Sequence, residues 1–414
     1  MISPIFEMRL HTERTNETWP RNRSELFRQL PCVPLAGSGP PNYSALVKIE
    51  YPNLDFLRSL AVLLVVACHV GCFYTDRVDI LVPIGALGVD LFFVHTAFVL
   101  MQSLERQDEE GSQHLFGAFI TRRFFRIYPL AILVTAAVLC FHIPQGSVKI
   151  GHVAPIYPNV GVILYNLTLT QGFFVLVPSI IGPLWSLSCE VQMYLLLPFL
   201  YRLLRGRRYA APILYIGVLA ISNVIVYCYP YEAGYSFLRF FRVAPCFMPG
   251  LLAYWLSNRV TPRFPAYSWC LLLLALPPLV ISGWFPLSGW NPSWFWIPGS
   301  FWWIPLIVGF AIPWFKQITL PVLAVASRVL ARYSYGVYLV HYFCIWAGLE
   351  KLGHGHAVLG PIIFCVLVTV IPVALYHAVE KPFITLGKMW TAPKGPDYSP
   401  APVMGNRSIS QTSA

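Results

Sequence analysis

Few side chains in this sequence can move a proton or hold a charge inside an apolar run. In "LDFLRSLAVLLVVACHV", Asp55, Arg58 and His69 stand on one apolar segment. Arg58 and His69 are eleven residues apart, about three helical turns, so they share a face. Asp55 and Arg58, at i and i+3, can pair. A second apolar segment carries Asp90 and His95, a fourth Glu190 and a ninth His341. An ionisable group among apolar neighbours is costly, so each calls for a partner or a role. An imidazole oriented by a carboxylate is a general-base arrangement. His69 is therefore the candidate base, with Asp90 or Glu190 to orient it. The alternative is a structural polar cluster that orders helix packing. His341 either joins the same cavity or is a core histidine bonded to a backbone carbonyl.

A second group is basic. "FITRRFFRIYPL" places Arg122, Arg123 and Arg126 where the third apolar segment begins. Both Arg122 and Arg123 neighbour Arg126 on a helix. Guanidinium forks match phosphate oxygens, and a phosphorylated donor arriving from the cytoplasm would meet these residues first. The alternative is interfacial anchoring by snorkelling arginines. Arg239 and Arg242 near the outer end of the sixth segment either pair with Asp90 or Glu190 or reach the interface.

The elements that must position these residues follow from composition. The chain has 414 residues, 29 Lys+Arg, 18 Asp+Glu and a formal charge of +11; hydrophobic residues make up 57% and charged residues 11%. A typical soluble domain carries about 25% charged residues. A soluble enzyme, a disordered protein and a nucleic-acid binder are all poor fits, because the basic residues sit in short clusters between long apolar runs. The pattern predicts an all-α integral membrane protein of about ten transmembrane helices, over 54–74, 84–104, 127–143, 184–203, 210–229, 237–256, 265–284, 297–315, 333–350 and 358–378. With the N-terminus in the cytoplasm, every Lys and Arg except Arg77, Lys149, Arg239, Arg242 and Lys351 lies on the cytoplasmic side, so both termini are expected there. Counted from the span ends at 1.5 Å per residue, His69, Asp90 and Glu190 all fall about 8–9 Å below the outer face.

Residues 1–53 read as a polar, disordered cytoplasmic tail, 54–387 as the transmembrane domain and 388–414 as a second disordered tail. The first apolar run begins too late for a signal peptide and is expected to be an uncleaved anchor. The stretch 160–177, with Asn159, Asn166 and Gln171 in or beside it, reads as a surface or re-entrant segment. Of the glycosylation sequons, those at Asn16, Asn22, Asn42 and Asn406 fall on the cytoplasmic side, and Asn166 is the one open to modification. The ten scattered cysteines form no CxxC pair and read as small packing residues, with no metal site. The Trp-rich run "SGWNPSWFWIPGSFWW" reads as an aromatic belt.

Together these blocks resemble the membrane acyltransferase-3 family. The first-span signature matches Asp55, Arg58 and His69; "GALGVDLFFVHTAFVL" looks like the family's second-span block and "RRFFRIYP" its cytoplasmic Arg motif. "LWSLSCEVQMYLLLP" matches the Trp-Ser-Leu…Glu block, giving Trp185, Ser186 and Glu190; "YSYGVYLVHYF" and "VEKPF" resemble the C-terminal signatures, placing His341 and Glu380. The resemblance covers about residues 50–387. One departure stands in the second span, where the family's paired Phe residues lead into a Ser-Gly step. Here Phe92 and Phe93 are followed by Val94, His95, Thr96 and Ala97: Thr96 can supply the hydroxyl, but Ala97 is larger than Gly, which bears on helix approach.

The resemblance implies O-acyl transfer, often of acetyl, from acyl-CoA to a hydroxyl. His69 would be the catalytic histidine, Glu190 a supporting carboxylate, and Arg58, Arg123 and Arg126 donor-binding or structural. Asp55, Trp185, Ser186, His341 and Glu380 would line or support the site. No permanently bound cofactor is expected, since a thioester is already activated. The partners are acyl-CoA, a small hydroxylated acceptor and the lipid bilayer, with no nucleic acid. No esterase domain or large outer loop is apparent, and the aromatic-rich outer half suits a compact, partly apolar alcohol, as in secondary metabolite biosynthesis. A cell-surface or cell-wall carbohydrate is the runner-up acceptor. A proton-coupled transporter is the rival from another class, since intramembrane His, Asp and Glu also build proton relays; the lack of an internal repeat weighs against it. A membrane scaffold without chemistry would leave the buried charges unexplained.

Overall fold

In lipid every backbone N–H and C=O must be satisfied within its own segment, so apolar runs of this kind become helices. The computed structural model describes residues 51–112, 114–143, 157–173, 177–228, 237–282, 302–353 and 355–392. Its helices are α1 (Pro52–Tyr74), α2 (Val78–Glu109), α3 (Leu115–Cys140), α4 (Val160–Leu167), α5 (Leu184–Leu204), α6 (Ala210–Cys228), α7 (Phe237–Ser257), α8 (Ala266–Ile281), α9 (Trp303–Ala311), α10 (Pro321–Ile345), α11 (Leu359–Leu375) and α12 (Lys381–Trp390). Among the described residues, extended pairing is limited to one isolated bridge between Phe264 and Phe315. Helices occupy the ten expected apolar segments. Four stretches, Pro52–Tyr74, Val78–Glu109, Leu115–Cys140 and Leu359–Trp390, are both long and apolar enough to cross a bilayer by length and composition.

The long central helix is α2, which packs against α1, α7, α9 and α5. In its most apolar stretch 72% of the residues are buried, against 11% for Leu359–Trp390. The exposed faces are themselves apolar: Ile213, Ile216, Ile221 and Val224 on α6, and Ile362, Val366 and Val370 on α11. In water such patches would drive association; against hydrocarbon they are the expected outer surface. Helix approach inside the bundle uses missing side chains. A Cβ on Gly88 would lie 2.6 Å from the Ala61 carbonyl oxygen, and one on Gly250 2.6 Å from the Ala97 Cβ. The larger residue at position 97 is thus accommodated by a glycine on the facing helix α7.

Helices α1 and α10 run parallel and side by side. The Asn53 Oδ1 accepts from the Ile318 backbone N–H (2.9 Å), Ser59 Oγ donates to the Ser327 carbonyl (2.8 Å), and Arg58 Nε donates to Ser334 Oγ (2.6 Å). Their C-terminal ends, carrying His69 and His341, therefore arrive at one level.

The stretch expected to be re-entrant begins with the eight-residue helix α4, capped by the Asn159 side chain on the Val162 N–H (2.9 Å). At 1.5 Å per residue it is about 12 Å long, too short to cross. The Asn166 amide nitrogen is spent on the Val162 and Pro178 carbonyls (2.9 and 3.0 Å) and the residue is 1% exposed. The expectation that Asn166 is open to glycosylation is corrected: the fold buries its acceptor atom. Two other boundaries shift. α3 starts at Leu115 rather than at 127, so the Arg motif lies two turns inside a helix. The chain stays helical to Trp390, past the expected start of the second tail at 388. The first tail up to residue 50, the second from 393, the other sequons, Lys149 and most of the Trp-rich run lie outside the described residues.

Candidate active site

The histidine of α1 finds a histidine, not a carboxylate. His69 Nδ1 lies 3.1 Å from His341 Nε2, and His341 Nδ1 lies 3.2 Å from the Val337 carbonyl oxygen one turn back. A carbonyl only accepts, so a proton resides on His341 Nδ1; in the neutral ring Nε2 is then the acceptor. The hydrogen on the His69–His341 bond therefore belongs to His69 Nδ1, which leaves His69 Nε2 with its lone pair free of a proton. This tautomer is assigned from the bonding pattern. His341 is 0% exposed, while His69 is half-buried. The Tyr342 ring packs 4.6 Å from that of His69, centroid to centroid.

The expected meeting of His69 with Asp90 or Glu190 does not occur. Counting depth from span ends assumes that helices begin in one plane, whereas α2 begins at Val78, six residues before the expected 84. Gly85 packs on Cys68 and Gly88 on Ala61 and Val65, so Asp90 lies about 9 Å deeper than His69. There it is 8% exposed and paired with the Cys246 thiol of α7. Glu190 lies deeper again, opposite Thr96: its Oε1 accepts from the Thr96 hydroxyl (2.8 Å) and its Oε2 from the Tyr194 hydroxyl (3.0 Å).

Glu190 belongs to a second, charged layer. Arg58 on α1 is held by Ser334, with its guanidinium 6.0 Å from the centre of the Phe92 ring, and lies in the field of Arg126, Glu190 and Glu380. Arg126 Nη1 stands 3.3 Å from Glu380 Oε1, and the Glu380 side chain is 0% exposed. That pair is a charge contact without hydrogen-bond alignment, since neither Glu380 oxygen has a hydrogen-bond partner among the described residues. Glu380 closes a π-helical turn, Tyr376–Glu380, between α11 and α12, a widening often found at functional positions. Arg123 lies over the Phe119 ring at 5.7 Å, in the field of Arg126 and Glu190. Arg122 points elsewhere, to Thr391 Oγ1 (2.7 Å) and loosely to Glu110 (3.9 Å).

Between the layers, Ser186 Oγ and Tyr338 OH are 2.6 Å apart and both reach the Pro183 carbonyl. Trp185 is half-buried against the core and Asp55 half-buried one turn before Arg58. Tyr194, Tyr338, Tyr342 and Ser334 escaped the sequence reading because an aromatic or a serine in an apolar run is unremarkable until a neighbouring helix is placed beside it. His95, 4% exposed and in the field of Arg58 and Arg126, does carry a sequence signal, an ionisable group in a span.

The chain is thus an all-helical integral membrane protein with a histidine pair above a buried layer of arginines and carboxylates. It belongs to the acyltransferase-3 family, whose acyltransferase domain matches residues 51–377. It is 34% identical to the acyltransferase MdmB of Streptomyces mycarofaciens, over 38% of this chain and 41% of that protein. It is 27% identical to the putative peptidoglycan O-acetyltransferase YrhL of Bacillus subtilis, over 81% of this chain and 55% of that one. Identity to the peptidoglycan O-acetyltransferase OatA of Listeria monocytogenes is 29%, over 36% and 23%. The chain therefore spans at most about half of these relatives' lengths. No solved structure shows significant similarity.

Proposed function

We propose that this chain is an O-acyltransferase that moves an acyl group, acetyl in the first instance, from acyl-CoA to the hydroxyl of a small natural-product or lipid-like alcohol. The observation that carries the reading is the His69–His341 pair (3.1 Å), which leaves His69 Nε2 free to take a proton. His69 is the general base: Nε2 takes the acceptor's proton as its oxygen attacks the thioester carbonyl, and returns it to the thiolate that leaves. His341 takes the orienting place expected for Asp90 or Glu190. Arg58, Arg123 and Arg126 serve the donor from the cytoplasmic side, Arg122 stands at the rim, and Glu190 and Glu380 hold the arginines in place. Asp90, tied to Cys246, supports the packing of α2 and α7. The ten helical segments cross the bilayer with both termini in the cytoplasm.

MdmB's name gives no acceptor, and the compact acceptor rests on the aromatic-rich outer half of the sequence. YrhL and OatA, named for peptidoglycan, favour a second reading in which the acceptor is a cell-wall carbohydrate. The test is labelled acetyl-CoA supplied to the protein in nanodiscs, with alcohols of both kinds. His69→Ala is expected to abolish transfer while acetyl-CoA still binds; full transfer by that variant refutes the mechanism. Which alcohol gains label decides between the acceptors.

A further inference from the structure

A base alone does not carry an acyl group through its tetrahedral intermediate. When an alcohol oxygen adds to a thioester carbonyl, the carbonyl oxygen takes up negative charge, and in an apolar site that charge needs an aimed hydrogen-bond donor. The arginines stand too deep to supply it: Arg58 precedes His69 by eleven residues, about 16 Å along α1. The Tyr338 and Ser186 hydroxyls are spent, since they bond each other (2.6 Å) and reach the Pro183 carbonyl (3.4 and 3.1 Å), which gives each O–H an acceptor.

Tyr342 is placed differently. Its ring packs against His69, 4.6 Å between centres, and against His341, 4.9 Å. The His69 ring thus lies in the corner made by two consecutive residues of α10. Among the described residues the Tyr342 hydroxyl has no hydrogen-bond partner, and the residue keeps 8% of its surface open where His341 keeps none. Gly182 makes room for it: a Cβ there would lie 3.0 Å from Tyr342 Cε2 and 3.3 Å from the hydroxyl oxygen. Gly182 stands two residues before α5, and the positive dipole end of a helix favours an anion beside it. The distances agree. A donor to the oxyanion stands up to ~8 Å from the base nitrogen, two hydrogen bonds of ~2.8 Å joined by ~2.3 Å between oxygens on one tetrahedral carbon. Ring centres 4.6 Å apart put the Tyr342 side chain inside that span.

We propose that the Tyr342 hydroxyl, beside Gly182 at the N-terminal edge of α5, donates to the acyl carbonyl oxygen as it becomes an oxyanion. The acceptor oxygen bonds to the carbonyl carbon while its proton passes to His69 Nε2. The π pair moves onto the carbonyl oxygen, which accepts the Tyr342 O–H, and that proton stays on the phenol. Collapse restores the carbonyl and breaks the C–S bond, and the leaving thiolate takes the proton from His69 Nε2. The proposal rests on the thioester-donor reading above and adds Tyr342 as a catalytic residue.

The test is Tyr342→Phe in nanodiscs with labelled acetyl-CoA, with benzyl alcohol and methyl glucoside as probe acceptors and hydrolysis to free acetate counted alongside. The ring and its packing on His69 remain, and the lost hydroxyl has no partner among the described residues, so the thermal midpoint should not move. The kcat should fall about a hundredfold or more, and the KM for acetyl-CoA should stay within about twofold. Transfer and hydrolysis should fall in the same ratio, because both pass through the same oxyanion. Gly182→Ala, which displaces the ring, should also lower kcat, and in that background Tyr342→Phe should cost much less than in wild type. A kcat near wild type in folded Tyr342→Phe overturns the proposal. So does a raised KM for an alcohol with hydrolysis unchanged, which makes Tyr342 an acceptor-binding group, and so do fully additive losses in the double variant. Wild-type protein that neither transfers nor hydrolyses acetyl-CoA overturns the donor reading itself.

Discussion

Replacing His341 separates an oriented histidine base from one that is merely present. In the structure His341 does two things at once: it is anchored by the Val337 carbonyl (3.2 Å) and it accepts the proton of His69 Nδ1 (3.1 Å). His341→Phe keeps a ring of similar size but removes both nitrogens. The direct cost is two hydrogen bonds worth ~0.5–1.5 kcal/mol each, and a half-buried His69 Nδ1 left without its partner adds ~1–3 kcal/mol. That nitrogen can escape the penalty by giving up its proton to Nε2, which presents a donor where an acceptor is needed. Restoring the active tautomer then costs ~1–3 kcal/mol, a fall of about ten- to a hundredfold in kcat. On the proposed donor site the KM for acetyl-CoA should hold, because the donor would meet Arg58, Arg123 and Arg126 and not His341. His341→Gln offers a carbonyl oxygen to the same N–H and should recover most of the loss. The assay is steady-state transfer of labelled acetyl in nanodiscs. Wild-type kcat in His341→Phe, or a Gln variant as slow as Phe, refutes the tautomer argument.

Gly250→Ala should lower the thermal midpoint in detergent by the equivalent of ~1–3 kcal/mol, since the new Cβ meets the Val94 carbonyl and the Ala97 methyl; unchanged melting means that α2 and α7 are not packed as described. Arg126→Ala strands a fully buried Glu380 carboxylate and should cost ~3–5 kcal/mol, read as lost folded yield. Arg122→Ala removes only rim contacts and should stay within ~1 kcal/mol, so equal losses in the two variants contradict the pairing. Ser186→Ala and Tyr338→Phe should each cost under ~1 kcal/mol, because the surviving hydroxyl still reaches the Pro183 carbonyl. The double variant should cost less than the two singles combined, because each single already loses the 2.6 Å hydroxyl–hydroxyl contact and the Pro183 carbonyl keeps the Ser186 N–H (3.3 Å).

The helices were legible because lipid forces backbone bonding inside each segment, and a run such as Leu54–Tyr74 can satisfy that demand in only one way. The intrahelical relation of Arg58 to His69 was legible for the same reason: 3.6 residues per turn is fixed. Partners across helices were not, because hydropathy sets which segments are buried and leaves their axial register open. The register of α1 on α2 is set by close packing at Gly85 and Gly88, and a helix that begins at Val78 rather than at 84 places Asp90 about 9 Å deeper. The departure from the family pattern is legible at Thr96, whose hydroxyl reaches a carboxylate. Its companion Ala97 gave no warning that Gly250, more than 150 residues away in sequence, restores the close approach.

On the proposed mechanism, the separation of the two layers explains why His69 is paired with a second imidazole. A histidine–carboxylate pair places a charge at the site before any substrate arrives, and near the apolar end of the bundle that charge would have to be desolvated. Two neutral imidazoles and a backbone carbonyl orient the base at no such cost. The charges are gathered instead about 9 Å or more below, where Arg58, Arg123 and Arg126 face Glu190 and Glu380. Arg58, Arg123 and Arg126 outnumber Glu190 and Glu380 there, and Arg106 acts on Arg123 as well. On the proposed reading, a layer in which arginines outnumber carboxylates would favour an anion, and an acyl-CoA donor would lie with its phosphates toward the arginines and its acyl group toward His69. The polarity of such a donor would then run along α1, in the three turns between Arg58 and His69.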